Sequence, residues 1–159
     1  AGMTGMGIHL TDAFISMFGP ITEVFASTAQ RVRPAENGDV VSVDVRFASG
    51  ATGYLNAILV TPLYLRFTVF GSTAWVEVRN HTHPDTPGPS TLTLQRSGAA
   101  PEVRTYEWTD SVRENLEAFA DACEGRGTYP FTDEQKIGNI AVLEAICRSA
   151  ATKTLVTLE

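Results

Sequence analysis

A histidine and an aspartate close to the N-terminus have the residue types and the spacing that proton transfer requires. His9 and Asp12 are three positions apart, so they share one face if this segment is a helix. Histidine gains and loses a proton near neutral pH, and a positioned imidazole can therefore move a proton to or from a substrate hydroxyl. The Asp12 carboxylate could orient the ring or bind a hydroxyl group. A surface or capping contact between the two side chains is the alternative interpretation.

The glycine-rich segment before His9 does not have the order of a dinucleotide-binding loop. Its glycines, Gly2, Gly5 and Gly7, follow the order G-x-x-G-x-G, and no strand precedes them. We therefore predict no cofactor site in this chain, and we expect these glycines to let the backbone approach another group closely. The chain begins without Met inside this segment, which predicts a piece of a longer protein.

The remaining polar clusters offer two weaker candidate sites. His81, His83 and Asp85 have the spacing H-x-H-x-D in a loop rich in proline and glycine. Without a fourth ligand this set is more typical of a solvated loop than of a metal centre, so we predict no metal; a lid beside a cleft is the other alternative. Tyr64 and Arg66 share one face of a predicted strand and could contact an anionic substrate, although structural pairing is the simpler explanation.

Hydrophobic periodicity predicts the elements that position these residues. Leu10, Phe14, Met17 and Phe18 form the apolar stripe of a helix over 7–18. Alternating apolar residues predict strands at 41–47 and 63–70, and short strand-like segments between turns predict strands at 53–60, 74–79, 91–96, 103–108 and 155–158. Capping boxes that begin at Ser111 and Thr132 predict two further helices.

The order of these elements predicts an α+β fold. Short turns join most consecutive strands, and such turns favour antiparallel pairing because a parallel crossover needs about a dozen residues. We expect residues 1–159 to form one domain, with a single mainly antiparallel sheet of six to eight strands and helices packed on one face. The strand at 53–60 is apolar on both faces, with Tyr54, Ile58 and Val60 alternating with Leu55, Ala57 and Leu59. The uncovered face is therefore predicted to pack against a second copy, as in a homo-oligomer, or against another domain.

Composition narrows the partners and the compartment. The chain has 159 residues, 43% of them hydrophobic, and a net charge of −6, which disfavours nucleic acid or an acidic membrane surface as a partner. No apolar run is long enough to cross a bilayer, and the N-terminal residues do not predict a signal peptide. Cys123 and Cys147 are predicted to be buried reduced thiols, with a disulfide between helices as the alternative, and a cytoplasmic location is expected.

Four segments, in order along the chain, resemble the C-terminal domain of the Gfo/Idh/MocA family of NAD(P)-dependent oxidoreductases. Gly7-Ile8-His9-Leu10-Thr11-Asp12 resembles the G-x-H-x-x-D helix of that family. The other three are residues 66–77, residues 115–119 with 129–134, and residues 143–150. The resemblance spans essentially the whole chain and implies the fold of dihydrodipicolinate-reductase-like and glyceraldehyde-phosphate-dehydrogenase-like C-terminal domains.

The resemblance also implies a function for particular residues. His9 matches the family's general acid/base, and Asp12 matches the acidic residue that contacts substrate or supports the helix. Many members carry an Asp four residues before the histidine, where this chain has Gly5. The implied parent enzyme uses NAD or NADP, bound by an N-terminal Rossmann domain that this chain lacks, to oxidise or reduce a sugar, inositol or related hydroxy compound.

Two other functions remain open at this point. The isolated chain is expected to be inactive, because the resemblance places the nicotinamide in the other domain. A non-catalytic module for binding or assembly is one alternative to a dehydrogenase domain. A paralogue that has lost catalysis is the other, and Gly5 keeps that alternative open.

Overall fold

The computed structural model describes residues 3–32 and 38–158, with the side chain of Thr4 excepted. Gly2, the first glycine of the N-terminal segment, lies outside the described residues. After a π-helical turn, Met3–Gly7, the elements are α1 Ile8–Phe18, β1 Ile21–Ala29, β2 Val40–Phe47, β3 Thr52–Ile58, β4 Leu65–Phe70, β5 Ala74–Asn80, β6 Ser90–Arg96, β7 Glu102–Tyr106, α2 Ser111–Cys123, α3 Asp133–Thr152 and β8 Val156–Thr157. The chain divides into two compact units: a first unit, Ala1–Val60 with Pro130–Glu159, and a second unit, Thr61–Tyr129.

The first unit is built on an antiparallel four-stranded sheet with the strand order β3-β2-β1-β8. Alternate side chains of β2, from Val41 to Phe47, are buried on one face of this sheet, as the period of two predicts. α3 packs against β1, and α1 packs beside α3. The core of this unit therefore lies between one face of the sheet and two helices. On the opposite face, Phe25, Tyr54 and Ile58 are exposed.

β1 is a central strand that the sequence did not predict. It pairs with β2 on one side and with β8 on the other. The register shifts between Ile21 and Glu23, so a bulge at the start of the strand interrupts the alternation of buried and exposed side chains. Without regular alternation the segment lacks the signal by which the other strands were found.

Ser149 joins α3 to this central strand. Its side chain is fully buried, and its Oγ accepts a hydrogen bond of 2.9 Å from the backbone N–H of Ala26. The same hydroxyl donates to the carbonyl of Thr154 at 2.6 Å. Because β8 pairs with β1 only at Glu23 and Val24, the serine satisfies a backbone donor that the short strand does not reach.

The second unit contains an antiparallel sheet with the strand order β4-β5-β6-β7, followed by α2. Apolar side chains from neighbouring strands, such as Phe67, Val78 and Leu92, are paired in register on one face. The predicted helix 111–123 is present. Its apolar residues Val112, Leu116 and Phe119 are nevertheless exposed, and none of its residues is buried.

The α+β class and the antiparallel pairing are confirmed, but the described strands form two four-stranded sheets where a single sheet was predicted. β3 ends at Ile58 and β4 begins at Leu65, so residues 59–64 extend neither sheet. Pro62 lies in this stretch and has no N–H to donate to a strand ladder. The predicted strand 53–60 runs two residues past the observed end at Ile58, and the predicted strand 63–70 begins two residues before the observed start at Leu65.

The predicted capping box at the start of α3 is confirmed. Thr132 Oγ1 accepts from the N–H of Gln135 at 3.2 Å, and Gln135 Oε1 accepts from the N–H of Thr132 at 2.9 Å. A hydrogen bond from Lys136, together with its charge, holds the pKa of Asp133 in the same turn below its ordinary value. The cap of α2 is Asp110 rather than the predicted Ser111. No helix in the described residues is long and apolar enough to cross a membrane.

The predicted burial of both cysteines is wrong. Cys123 and Cys147 are free thiols with exposed side chains. Cys123 is the last residue of α2, whose apolar side is itself exposed. Cys147 follows the buried Ile146 on α3 and therefore lies outside the buried stripe of that helix. An apolar helical pattern did not specify which of its positions is covered.

Candidate active site

His9 is exposed in the first turn of α1. Among the residues that the structure describes, the imidazole has no hydrogen-bond or ion-pair partner. A ring in this position can meet a ligand without first breaking a contact inside the domain. The helix that carries it begins directly after the π-helical turn Met3–Gly7.

Asp12 lies one turn further along α1 and is half-buried. No hydrogen bond or ion pair joins its carboxylate to His9 within the described part of the chain. The predicted pair thus shares a helix without direct contact. Any joint action of the two side chains on a ligand would be through separate contacts with that ligand.

Thr11 and Asn139 link the buried side of α1 to α3, and the sequence analysis identified neither of them. Thr11 is 1% exposed, and its hydroxyl lies 2.6 Å from Asn139 Oδ1 and 3.0 Å from the carbonyl of Ile8. Asn139 Nδ2 donates to the same Ile8 carbonyl at 3.2 Å. The three groups form a buried polar bridge between α1 and α3, adjacent to His9 in sequence.

One signal for this bridge was present in the sequence. Thr11 lies three residues after Ile8 and three before Phe14, so it has the phase of the buried side of α1. A threonine at a buried phase needs a hydrogen-bond partner. The sequence could not show which residue provides it, because Asn139 is 128 positions away.

Aromatic contacts fix the other half of α1 to the sheet. The rings of Phe14 and Phe18 lie 6.1 and 5.2 Å from the ring of Phe47, measured between centroids. Gly53 on β3 makes room for this cluster. A Cβ atom there would lie 2.9 Å from Val45 Cγ2 and 3.4 Å from the Phe14 ring.

Gly5 lies in the π-helical turn and is exposed. A Cβ atom added at this position would meet no atom within 4 Å. The expected close approach of backbone to another group is therefore not made by atoms described in this chain. The open space also means that a side chain at this position is sterically possible.

Tyr64 and Arg66 are brought together in the second unit, with a residue that the sequence analysis missed. The Arg66 guanidinium lies 5.9 Å from the centroid of the Tyr64 ring, and that of Arg79 lies 5.0 Å from it. Arg66 also approaches Glu77 Oε2 at 3.7 Å. Arg79 could not be linked to Arg66 in advance because their proximity depends on the register of β4 with β5.

The loop between β5 and β6 does not gather its histidines around one point. His81 Nε2 is 3.1 Å from the hydroxyl of Thr91, whereas His83 Nδ1 is 3.3 Å from Asp85 Oδ2. Trp108 Nε1 donates to the carbonyl of Pro84 at 2.7 Å and ties the loop to the segment after β7. Within the described ranges, no group of three His, Cys, Asp or Glu side chains could hold a metal ion.

A groove of about 300 Å³ lies beside the C-terminal half of α1. Its walls include Ile15 and Ile21 on one side and Gly138 and Val142 of α3 on the other. His9 does not line this groove, since it lies in the first turn of the helix. The groove is therefore separate from the candidate catalytic histidine.

The sequence of the N-terminal part of the chain matches a known domain family. Residues 2–77 match the family described as GFO/IDH/MocA C-terminal domain. This match confirms the resemblance seen in the sequence and includes the helix that carries His9. No curated protein matches the chain.

Solved structures with the same fold cover nearly the whole chain. An oxidoreductase from Desulfitobacterium hafniense is 22% identical with a TM-score of 0.81, over 98% of this chain and 47% of its own. The aldose-aldose oxidoreductase from Caulobacter crescentus, solved with glycerol, is 21% identical with a TM-score of 0.82, over 99% of this chain and 48% of its own. The WlbA dehydrogenase from Bordetella pertussis, solved with NADH and UDP-GlcNAcA, is 20% identical with a TM-score of 0.74, over 99% and 46%.

These likenesses show the fold, and they show that the chain spans about half the length of the proteins it resembles. The fold similarity extends beyond the residues matched by sequence, to α3 and β8. The described chain thus shares its fold with part of each of these proteins.

Proposed function

We propose that this chain, a Gfo/Idh/MocA C-terminal domain, is the substrate-side domain of an NAD(P)-dependent dehydrogenase acting on a sugar, inositol or related hydroxy compound. In the proposed parent protein an N-terminal Rossmann domain binds the cofactor. The observation that carries the proposal is the exposed His9 on a helix whose opposite side is anchored by the buried Thr11. A fixed helix with a free imidazole at its start suits a general acid/base.

His9 would exchange a proton with the reacting hydroxyl. In the oxidation direction Nδ1 or Nε2 accepts the hydroxyl proton, and in the reduction direction the protonated ring returns it to the carbonyl oxygen. When bound, the nicotinamide takes up or supplies the hydride at the adjacent carbon. Because His9 has no partner among the described residues, its second nitrogen is available to solvent or to the other domain.

Asp12 and Gly5 would meet the substrate around this histidine. The half-buried Asp12 carboxylate can accept a hydrogen bond from a second hydroxyl of a polyol. Gly5 contributes no carboxylate, so the proton acceptor in this chain is His9 alone. We expect the proposed Rossmann domain to supply any further charged group.

The solved relatives support a polyhydroxy substrate and a nicotinamide cofactor. One is named an aldose-aldose oxidoreductase and was solved with glycerol, and another was solved with NADH and UDP-GlcNAcA. We extend the ligand class to this chain, without choosing a particular sugar or choosing between NAD and NADP. The free cysteines are compatible with a cytoplasmic location.

The uncovered face of the first sheet is the proposed site of self-association. Phe25, Tyr54 and Ile58 lie there with 41%, 60% and 51% of their surfaces exposed. Phe25 and Tyr54 are both paired with Asp44 of the intervening strand, so the two aromatic rings flank one carboxylate. The same face would serve a non-catalytic assembly module, which is the second candidate function.

Substitution of His9 in the full-length protein tests the proposal. We expect His9→Ala to lower kcat for alcohol oxidation by roughly 10²- to 10⁴-fold, the contribution typical of a general acid/base. His83→Ala, at another exposed histidine, is the matched control and should leave kcat unchanged. An unchanged rate for His9→Ala would remove the catalytic assignment. A full-length protein that binds no NAD(P) would favour the assembly module instead.

A further inference from the structure

A row of hydrogen-bond donors crosses the sheet of the second unit on one face. Arg66 of β4 is paired in register with Arg79 of β5, Arg79 with Thr91 of β6, and Thr91 with Thr105 of β7. Residues paired in register on neighbouring antiparallel strands project to the same side of the sheet, with Cβ atoms about 5 Å apart. Two guanidinium groups and two hydroxyls therefore form one continuous row.

The two arginines carry more positive charge than their neighbours offset. Like charges directly opposite each other on a sheet destabilise it. Glu77 is 3.7 Å from Arg66, and its carboxylate is shared with the Thr68 hydroxyl at 3.5 Å. Arg79 has no carboxylate within ion-pair distance in the described part of the chain. The pair thus keeps a net positive charge in a protein whose total charge is −6.

The two other arginines of the described strands in this sheet share one carboxylate. Arg96 and Arg104 both contact the carboxylate of Glu102, the latter at 3.6 Å. Arg104 is paired with Leu92, in the register of Phe67 and Val78, so it lies on the opposite face from Arg79. Arg66 and Arg79 thus have their face of the sheet to themselves among the arginines of the described strands, and both contact the Tyr64 ring.

Both guanidinium groups lie near the ring of Tyr64. They lie 5.9 and 5.0 Å from its centroid, within the range of cation–π attraction. This attraction offsets part of their repulsion without supplying an anion. A planar guanidinium donates two parallel hydrogen bonds to a carboxylate or a phosphate, so two of them side by side form a ready anion site.

We propose that Tyr64, Arg66 and Arg79, with the Thr91 hydroxyl beside them, bind the carboxylate or phosphate group of a small anionic ligand. The guanidinium groups supply the charge, and the Tyr64 ring lies within cation–π distance of both. Thr91 adds a hydroxyl that is 3.1 Å from His81 Nε2 and can turn toward the ligand. The site lies wholly within the second unit and does not depend on the reaction proposed for His9.

Calorimetric titration of the full-length protein with inorganic phosphate and with glucuronate, at constant ionic strength, tests this site. We expect saturable binding of at least one of these anions and none of glucose at the same concentrations. Arg79→Gln and Arg66→Gln should each weaken binding by roughly tenfold or more, since each removes charged hydrogen bonds. The anion that binds more tightly shows whether the site recognises a phosphate or a carboxylate group.

Matched variants distinguish binding at a specific site from attraction of the anion by the overall charge of the protein. Arg104→Gln makes the same charge change on the opposite face and should leave binding as in the wild type. Tyr64→Phe keeps the ring and should bind normally, whereas Tyr64→Ala should bind more weakly. The substituted side chains are exposed, and equal melting temperatures for the variants verify that the fold is intact.

Two results would overturn the anion site: no saturable binding of either anion, or an equal loss in Arg104→Gln and Arg79→Gln. The dehydrogenase proposal is tested by a separate measurement, the turnover of His9→Ala. His9→Ala should bind the anion normally, so failure of that variant to lose turnover would leave the anion site standing.

Discussion

The hydroxyl of Thr11 lies 2.6 Å from the amide oxygen of Asn139, and both side chains are buried between α1 and α3. This contact joins the helix that carries His9 to the longest helix of the domain. The Ile8 carbonyl, directly before His9, accepts from Asn139 Nδ2 at 3.2 Å and lies 3.0 Å from the Thr11 hydroxyl. The position of the exposed imidazole therefore depends on a polar bridge that lies behind it.

Replacement of Thr11 tests that bridge. We expect Thr11→Val to lower the free energy of unfolding by roughly 1–3 kcal/mol, because Asn139 loses a buried partner. Thr11→Ser keeps the hydroxyl, and its free energy of unfolding should fall clearly less than that of Thr11→Val. Urea denaturation of the two variants measures the difference. A Thr11→Val variant as stable as the wild type would contradict a contribution from this hydrogen bond.

The same variants should affect turnover in the full-length protein. A loosened α1 lets His9 move relative to the substrate, so we expect Thr11→Val to lower kcat more than it raises KM. Thr11→Ser should restore kcat toward the wild-type value. A kcat unchanged in Thr11→Val would mean that the bridge supports folding only.

Gly53 is expected to tolerate no side chain. A Cβ atom would lie 2.9 Å from Val45 Cγ2 and 3.2 Å from the Phe47 ring, so Gly53→Ala forces the aromatic cluster under α1 to shift. We expect a loss of about 1–3 kcal/mol of unfolding free energy, the usual cost of overpacking.

A second glycine provides the control for Gly53. Gly138 is on α3, and a Cβ atom there would meet nothing within 4 Å. Gly138→Ala should raise the unfolding free energy by roughly 0.5–1 kcal/mol, because alanine favours the helix. Thermal or urea denaturation of both variants measures the two changes in unfolding free energy, which should have opposite signs. If Gly138→Ala is less stable than the wild type, the room for a Cβ atom does not explain the stability changes at these two glycines.

Gly5 offers a gain-of-function test of the proposed chemistry. The surrounding space admits a side chain, so Gly5→Asp should fold normally. In the full-length protein we expect it to raise kcat several-fold, because the new carboxylate can help to remove the hydroxyl proton near His9. Gly5→Asn is the uncharged control of the same size. Equal kcat values for the two variants would contradict a role for the charge.

Self-association through the first sheet predicts a charge-sensitive interface. Tyr54 is 60% exposed on the uncovered face, and Tyr54→Glu would place a second carboxylate opposite Asp44. We expect this variant to elute as a smaller species than the wild type in size-exclusion chromatography. Ile137→Glu, on the exposed side of α3, should not change the elution volume. A wild-type protein that is monomeric would rule out the interface.

The sequence by itself determined the positions of most helices and strands and the motif around His9. Short strand-like segments, two of them with clear period-two alternation, located seven of the eight described strands. The helical period located the three described α-helices, and Thr132 with Gln135 marked the start of α3. These signals are local, since each depends on residues a few positions apart. The resemblance around His9 also came from a short motif, and the family match over residues 2–77 confirmed it.

Tertiary structure alone decided which residues meet. It paired Thr11 with Asn139, set Arg66 opposite Arg79, inserted the bulged β1 into the centre of its sheet, and divided the strands into two sheets. It also left the apolar stripe of α2 and both cysteines exposed. The physical reason is common to all of these: local patterns fix which side of an element is apolar, whereas strand register and helix packing, which join distant residues, determine what covers that side.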